Sequence, residues 1–411
     1  MSSSPARPET SLRSMIPSVY LPSLLFEIGI GAMLPMIAVT ASGLGANLAT
    51  AGFMAALLPI GQILADVPAG ALAARFGDRA AMIGSSALAM IGMALCALAP
   101  SLWVMAIGVL IVGATNAVYA LARQSYLTEV IHPLRWARAL STLGGVARIG
   151  LFIGPFLGAL VVHGADSAAN SYWLGVGASL VAAVVVLVAP EVAHESTIQK
   201  RATATRRPMR AVFAEYLPVF TTLGFAVLLI GAVRGARQTV LPLWTEHLGF
   251  APATTSLVFG LSGAIDMLLF YPAGKMMDRR GRLWVAIPSM LVMGAAMVAL
   301  PTTDTFVSVS IVAMVMGLGN GIGSGILMTL GADTAPPGER AQYLGIWRLF
   351  SDSGSASGPL IVAAGAALGS LAAGILTMGG MGAVAALALW RWVPRWSVHA
   401  NRTTRRRAGI T

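Results

Sequence analysis

Seven charged side chains lie inside stretches that are otherwise apolar, and these are the residues best placed to do chemistry. Three are acidic: Glu27, Asp266 and Asp352; four are basic: Arg148, Arg234, Arg237 and Arg348. Glu27 falls about 11 residues into its stretch, or ~16 Å along a helix, near the middle of a bilayer. Arg148 and Asp266 fall at similar depths in theirs. An ionised group there costs about 2.5–3.5 kcal/mol even on the mildest scale, so such residues are functional candidates. The chemistry open to a buried carboxylate is proton uptake and release. Burial favours the neutral form and a nearby guanidinium favours the charged form, so moving the guanidinium moves the proton. Glu27 and Asp266 are the leading proton-coupling candidates, with Asp352 third. The arginines are counter-charges or substrate groups able to hold an anion. The competing reading is static pairing, as Glu27–Arg148 or Arg348–Asp352. For the second pair a helical spacing of four favours that reading.

The elements carrying these charges are membrane helices. Mean hydropathy is +0.78, 56% of residues are apolar and 10% are charged, a composition suited to lipid rather than to a soluble core. Twelve segments reach the ~20 residues a crossing needs: about 16–40, 47–73, 80–99, 102–123, 138–162, 171–189, 214–243, 252–276, 283–300, 305–330, 341–365 and 370–392. Bases follow the even-numbered spans: Arg75 and Arg79, then Arg135 and Arg138, then Lys275, Arg279, Arg280 and Arg282. The connections after odd-numbered spans carry none. This alternation puts both termini in the cytoplasm. The expected division is a tail at 1–15, a six-helix bundle at 16–189, a basic linker at 190–213, a second bundle at 214–393 and a basic, solvated or lipid-associated tail at 394–411. The net charge of +11 resides in loops and tails, so it marks a cytoplasmic face and the lipid bilayer as partner, with no nucleic acid implied. Cys96 is the single cysteine. It cannot form an intrachain disulfide, and neither a metal site nor any cofactor is expected.

The two bundles repeat at an offset of 204 residues. Val67-Pro68-Ala69-Gly70 matches Tyr271-Pro272-Ala273-Gly274. Asn116 matches Asn320, and Gly150, Gly154 and Pro155 match Gly354, Gly358 and Pro359. A glycine row at spacing four lets helix backbones approach closely in lipid, and a proline weakens the ladder beside it. That is tight packing, with or without motion. Asn116 and Asn320 are either substrate contacts or interhelical hydrogen bonds. Asp278 beside Arg279 and Arg282 is either an ion-pair latch or a topological anchor. Asp66, Arg123, Glu129 and Asp333 lie at cytoplasmic helix ends, where gating or anchoring is expected.

These motifs resemble the major facilitator superfamily, and within it the twelve-helix drug:proton antiporters. The loop signature Gly-x-x-x-Asp-Arg-x-Gly-Arg is full in the second half, at Gly274, Asp278, Arg279, Gly281 and Arg282. The first half keeps Gly70, Arg75, Gly77 and Arg79, with Ala74 at the acidic position. The fifth-helix antiporter signature is Gly150, Gly154, Pro155 and Gly158. The arginine that the family carries on the fourth helix, associated with proton coupling, is replaced by Val109. The resemblance implies an all-α fold of two pseudo-symmetric six-helix bundles, with a cavity lined by spans one, four, seven and ten. Met33, Asn116, Tyr119, Gln238 and Asn320 are the lining residues expected there. It implies a plasma or bacterial inner membrane location and secondary active, proton-coupled efflux of small hydrophobic or amphipathic compounds by alternating access. Small-molecule substrate and protons are the expected partners, and a monomer the expected state. A uniporter or importer of a small metabolite, or a non-transporting receptor, stays open. No nucleophile elbow, zinc-protease motif or phosphate loop occurs, so no enzyme is expected.

Overall fold

The computed structural model describes residues 15–131, 136–165, 167–189, 209–336, 340–407 and 409. Residues 1–14 and most of the linker expected at 190–213, with Lys200, Arg201, Arg206 and Arg207, lie outside the described residues, as does Arg135. Residues 209–213 belong to a short helix, Met209–Glu215.

The first bundle is α1 (Leu21–Met33), α2 (Met36–Gly43), α3 (Leu48–Phe76), α4 (Asp78–Ala97), α5 (Leu102–Val130), α6 (Trp136–Ala165) and α7 (Ala169–Val188). The second is α8 (Phe225–His247), α9 (Pro252–Arg280), α10 (Leu283–Ala299), α11 (Phe306–Ile322), α12 (Ile326–Thr334), α13 (Arg340–Ala367) and α14 (Leu371–Trp396). The first span is α1 and α2 broken at Pro35, and the tenth is α11 and α12 broken at residues 323–325.

Among the described residues, 11 helical spans are long and apolar enough to cross a membrane. The twelfth, α13, has 28 residues, ample length, but its first half carries Arg348, Ser351, Asp352 and Ser353, which lower its hydropathy. It can afford them because it lies between α8, α3 and α14.

Packing follows the repeat. In the first bundle α1 packs on α6, α3 on α5, and α4 on α5 and α7; the second repeats this as α8 on α13, α9 on α11, and α10 on α11 and α14. The bundles meet along two seams, α3 against α13 and α6 against α9, which are themselves repeat equivalents.

The glycine row explains the closeness. A Cβ on Gly150 would sit 2.6 Å from Cβ of Glu27, and one on Gly154 would sit 2.5 Å from the Ile28 carbonyl. On Gly158 it would lie 2.9 Å from Oγ of Ser171. Gly150 and Gly154 therefore fasten α6 to α1 within the bundle and Gly158 brings it against α7, despite Pro155 inside the helix. Gly354 and Gly358 fasten α13 to α8 in the same manner. Two further glycines end helices: Gly77 (φ 87°) closes α3 and Gly281 (φ 102°) closes α9. Both are signature positions, and both need a backbone conformation costly to residues with a Cβ.

Candidate functional site

Intramembrane charges gather in three groups, two of them on the seams between bundles. The first lies within the first bundle. Glu27 on α1 pairs with Arg123 on α5 at 2.7 Å, with side chains 7% and 11% exposed. Arg123 also lies over the ring of Tyr119 at 5.7 Å, and Tyr119 stacks on Phe26 at 4.0 Å. The expected Glu27–Arg148 pair does not form. Nor is Arg123 a helix-end anchor: α5 continues to Val130, so Arg123 stands about 7 residues, or ~10 Å, inside. The fourth span thus has its own guanidinium, although Val109 occupies the position where the family pattern puts one. An arginine one turn past Tyr119, on a span whose apolar pattern continues beyond it, was the available signal.

The second group sits on the α6–α9 seam. Asp266 on α9 receives Arg148 at 3.3 Å on Oδ1. On Oδ2 it receives Arg237 at 3.5 Å and the Asn320 amide at 2.6 Å. Arg237 also donates to Ser262 Oγ at 2.9 Å, and Arg148 donates to Ser324 Oγ. The Arg148 guanidinium lies over the Phe270 ring at 4.5 Å. Arg234, one turn before Arg237 on α8, donates to the Gly323 carbonyl at 2.5 Å. That carbonyl is within reach because the helix breaks at residues 323–325, where Gly325 takes φ 79°. Elements of both bundles therefore converge on one carboxylate. Asn320 is an interhelical partner of Asp266, whereas Asn116 makes no side-chain hydrogen bond among the described residues.

The third group sits on the equivalent α3–α13 seam. Arg348 on α13 reaches Asp352 at 3.3 Å and Asp66 on α3 at 3.5 Å. The intrahelical pair expected from spacing is present, and it also crosses between bundles. Asp66 is not at a helix end: α3 runs to Phe76, leaving Asp66 about 10 residues, or ~15 Å, inside. The 204-residue offset that relates the bundles also relates the seams. It maps Arg148 onto Asp352, Asp66 onto Phe270 and Gln62 onto Asp266. The first pair of equivalent places holds opposite charges and the other two hold a carboxylate in one bundle and an uncharged residue in the other, a difference the sequence contained and only the seam geometry made meaningful.

A cavity of about 120 Å³ lies between the bundles. Arg234, Gln238, Gln62 and Ser355 supply its polar wall, and Leu34, Ile37 and Leu58 supply apolar wall. Gln238 lines this cavity. Met33 and Tyr119 are instead fully packed, at 1% and 0% exposure.

At the basic end, the latch expected at Asp278 is displaced. Arg282 makes its short contact with Asp333, at 3.0 Å, while Asp278 is 76% exposed and 3.6 Å away. Ser397 Oγ also donates to Asp333 at 2.8 Å. The backbone N–H groups of Arg282 and Leu283 donate to the carbonyls of His399 and Ala400, both at 3.1 Å. Ala400 is wholly buried. Residues 397–400 are therefore docked on the α9–α10 signature loop, while Arg402, Arg406 and Arg407 of the short helix beyond them stay exposed, and α14 itself runs to Trp396, past the expected tail boundary at 394. A Cβ at Gly281 would strike the Ala400 carbonyl at 2.7 Å, so that position needs glycine for contact as well as for φ. In the first half Arg79 donates to the carbonyls of Leu187 and Ala189 at 2.8 and 2.7 Å, tying the matching loop to the end of α7. Arg75 lies over its neighbour Phe76 at 5.3 Å. Gly70 and Gly274 face open space or distant side chains. The Arg279 carbonyl accepts from Arg405 at 3.3 Å.

The family model described as Major Facilitator Superfamily matches residues 19–359 and 223–408, two overlapping registers that reflect the internal repeat. The chain belongs to the major facilitator superfamily. It is 25% identical over 328 residues to the multidrug resistance protein MdtH of Klebsiella pneumoniae, covering 78% of this chain and 79% of that one. It is 28% identical over 351 residues to YddS of Bacillus subtilis, an uncharacterised transporter of the same type, covering 81% and 80%. A solved POT family transporter in complex with a thioalcohol-conjugated peptide superposes with a TM-score of 0.75 at 13% identity, covering 93% of this chain and 96% of that one. The chain is thus a multi-pass transporter of the superfamily, with the twin-bundle fold its motifs implied.

Proposed function

We propose that this transporter exports small amphipathic compounds in exchange for protons, with both termini in the cytoplasm of a bacterial inner or plasma membrane. The carrying observation is the Asp266 cluster. A lone carboxylate, reached by arginines from both bundles, sits on the seam that must shear if the bundles rock. Opening the α6–α9 seam withdraws Arg148 from Asp266. The carboxylate then has fewer cationic partners and takes up a proton from the side that is open, and gives it up to the opposite side when the seam closes and Arg148 returns. Glu27 with Arg123 forms a second such pair inside the first bundle, where bundle rocking alone does not separate it, so it serves as a relay or a fixed brace.

The Arg348 bridge to Asp66 and Asp352 is the gate on the other seam. Two carboxylates share one guanidinium, so one added proton neutralises the trio and one lost proton leaves surplus negative charge across the contact. The direction of transport draws support from the similarity to a multidrug resistance protein. Conversion of Asp266 to Asn tests the reading in proteoliposomes. Substrate exchange without a gradient should persist, and drive by an imposed pH gradient should vanish. Unchanged gradient-driven transport in this variant would remove Asp266 from coupling. A uniporter of a small metabolite, the competing use of the same fold, would show no response to the gradient even in the wild-type protein.

A further inference from the structure

The charges of the two seams do not balance, and the imbalance lies at the cavity. The α6–α9 seam holds Arg148, Arg234 and Arg237 against the single carboxylate of Asp266. Asp266 is fully engaged: Oδ1 by Arg148, Oδ2 by Arg237 and Asn320. Arg234 therefore has no carboxylate among the described residues. Its partner is a neutral carbonyl, and its Nε, like that of the buried Arg237, is shielded from solvent with no hydrogen-bond partner. A guanidinium offers five donors in a planar fork and stays charged, so it is completed by an oxyanion rather than by a carbonyl. Arg234 also lines the cavity between bundles, beside Gln62, Gln238 and Ser355, while Leu34, Ile37 and Leu58 form apolar wall. The other two charge groups carry no such excess. Glu27 and Arg123 pair one to one, and Arg348 is outnumbered by its two carboxylates.

We infer that the cargo is an anion: a compound with one carboxylate-like head, held by Arg234 with the neighbouring amides, and an apolar body lying against Leu34, Ile37 and Leu58. This rests on the transport reading above and names its substrate class. A cationic compound in the same place would meet the Arg234 guanidinium, and the cavity lining holds no carboxylate to receive it. The volume of about 120 Å³ accommodates the head and a few carbons, so the remainder of a larger cargo would extend between the bundles as the seams open.

The test uses the full chain in proteoliposomes and three probes of one shape: 2-naphthoate, its methyl ester and naphthalene-2-methylammonium. Binding is read as a thermal shift, because a ligand of the folded state stabilises by mass action. Uptake is read by counterflow. For the wild-type protein, naphthoate should bind at least tenfold more tightly than either analogue. Arg234→Gln should lose at least tenfold in naphthoate affinity, and Arg234→Lys should stay within several-fold of wild type. If Arg234→Gln fails to yield monodisperse protein, Gln238→Leu replaces it, with a smaller loss expected for naphthoate alone. Equal or tighter binding of the ammonium probe by the wild-type protein overturns the assignment without any variant, as does naphthoate binding that is unchanged in Arg234→Gln. Proton coupling fails separately: naphthoate counterflow that ignores a pH gradient keeps the anion site and discards antiport, whereas gradient-driven movement of the ammonium probe alone does the reverse.

Discussion

Replacing Glu27 by Gln removes one partner of a deeply buried ion pair and strands Arg123. The N–O distance of 2.7 Å puts the charge centres about 4 Å apart. At an effective dielectric near 20 that attraction is about 4 kcal/mol, matching the 3–5 kcal/mol lost when half of a buried pair is deleted. Both side chains are nearly enclosed, so screening by solvent takes little from this value. Arg123 cannot recover it elsewhere: its other terminal nitrogen already lacks a partner, and Tyr119 offers only its ring face. Glu27→Gln and Arg123→Gln should each destabilise the protein by about 3–4 kcal/mol. The double variant should cost little more than either alone, giving a coupling energy of about 3 kcal/mol. Steric trapping in bicelles measures all four corners of the cycle under equilibrium conditions. A coupling below ~0.5 kcal/mol, the size of a surface pair, would refute the pairing and the depth assigned to Arg123.

Other outcomes follow from the same contacts. Gly154→Val should destabilise by ~1–3 kcal/mol or block folding, because its first added carbon meets the α1 backbone, whereas Gly164→Ala, with open space at its Cβ, should be neutral; thermal melts of the two variants compare them. Asp333→Asn should release residues 397–400, read as faster trypsin cleavage at Arg402 or Arg405, because it weakens the Arg282 and Ser397 contacts together. Asp278→Asn should leave cleavage unchanged, since that carboxylate faces solvent. Arg348→Gln should loosen the α3–α13 seam, read as a changed distance between spin labels placed at the basic ends of α3 and α13. A distance identical to wild type would show that the bridge does not hold this gate.

Sequence alone determined the class, the span pattern and the twin-bundle plan. Apolar length and the placement of bases are local properties, and the 204-residue repeat is a comparison of the chain with itself. It also picked out Asp266, Arg148, Arg234 and Arg237, because a charge in an apolar stretch stands out without any knowledge of its neighbours. It misplaced Arg123 because hydropathy falls at a charge and the fourth span was ended on it, while the helix runs on to Val130; Asp66 was assigned to a helix end although the second span, and the helix to Phe76, continue past it. Which charge meets which was decided only in three dimensions. Glu27 chooses Arg123 over Arg148 because the glycine row of α6 brings backbone, not guanidinium, against Glu27 and turns Arg148 to the opposite bundle. The folded-back tail was equally out of reach: its contacts with the α9–α10 loop are mostly backbone hydrogen bonds, and any sequence offers those groups.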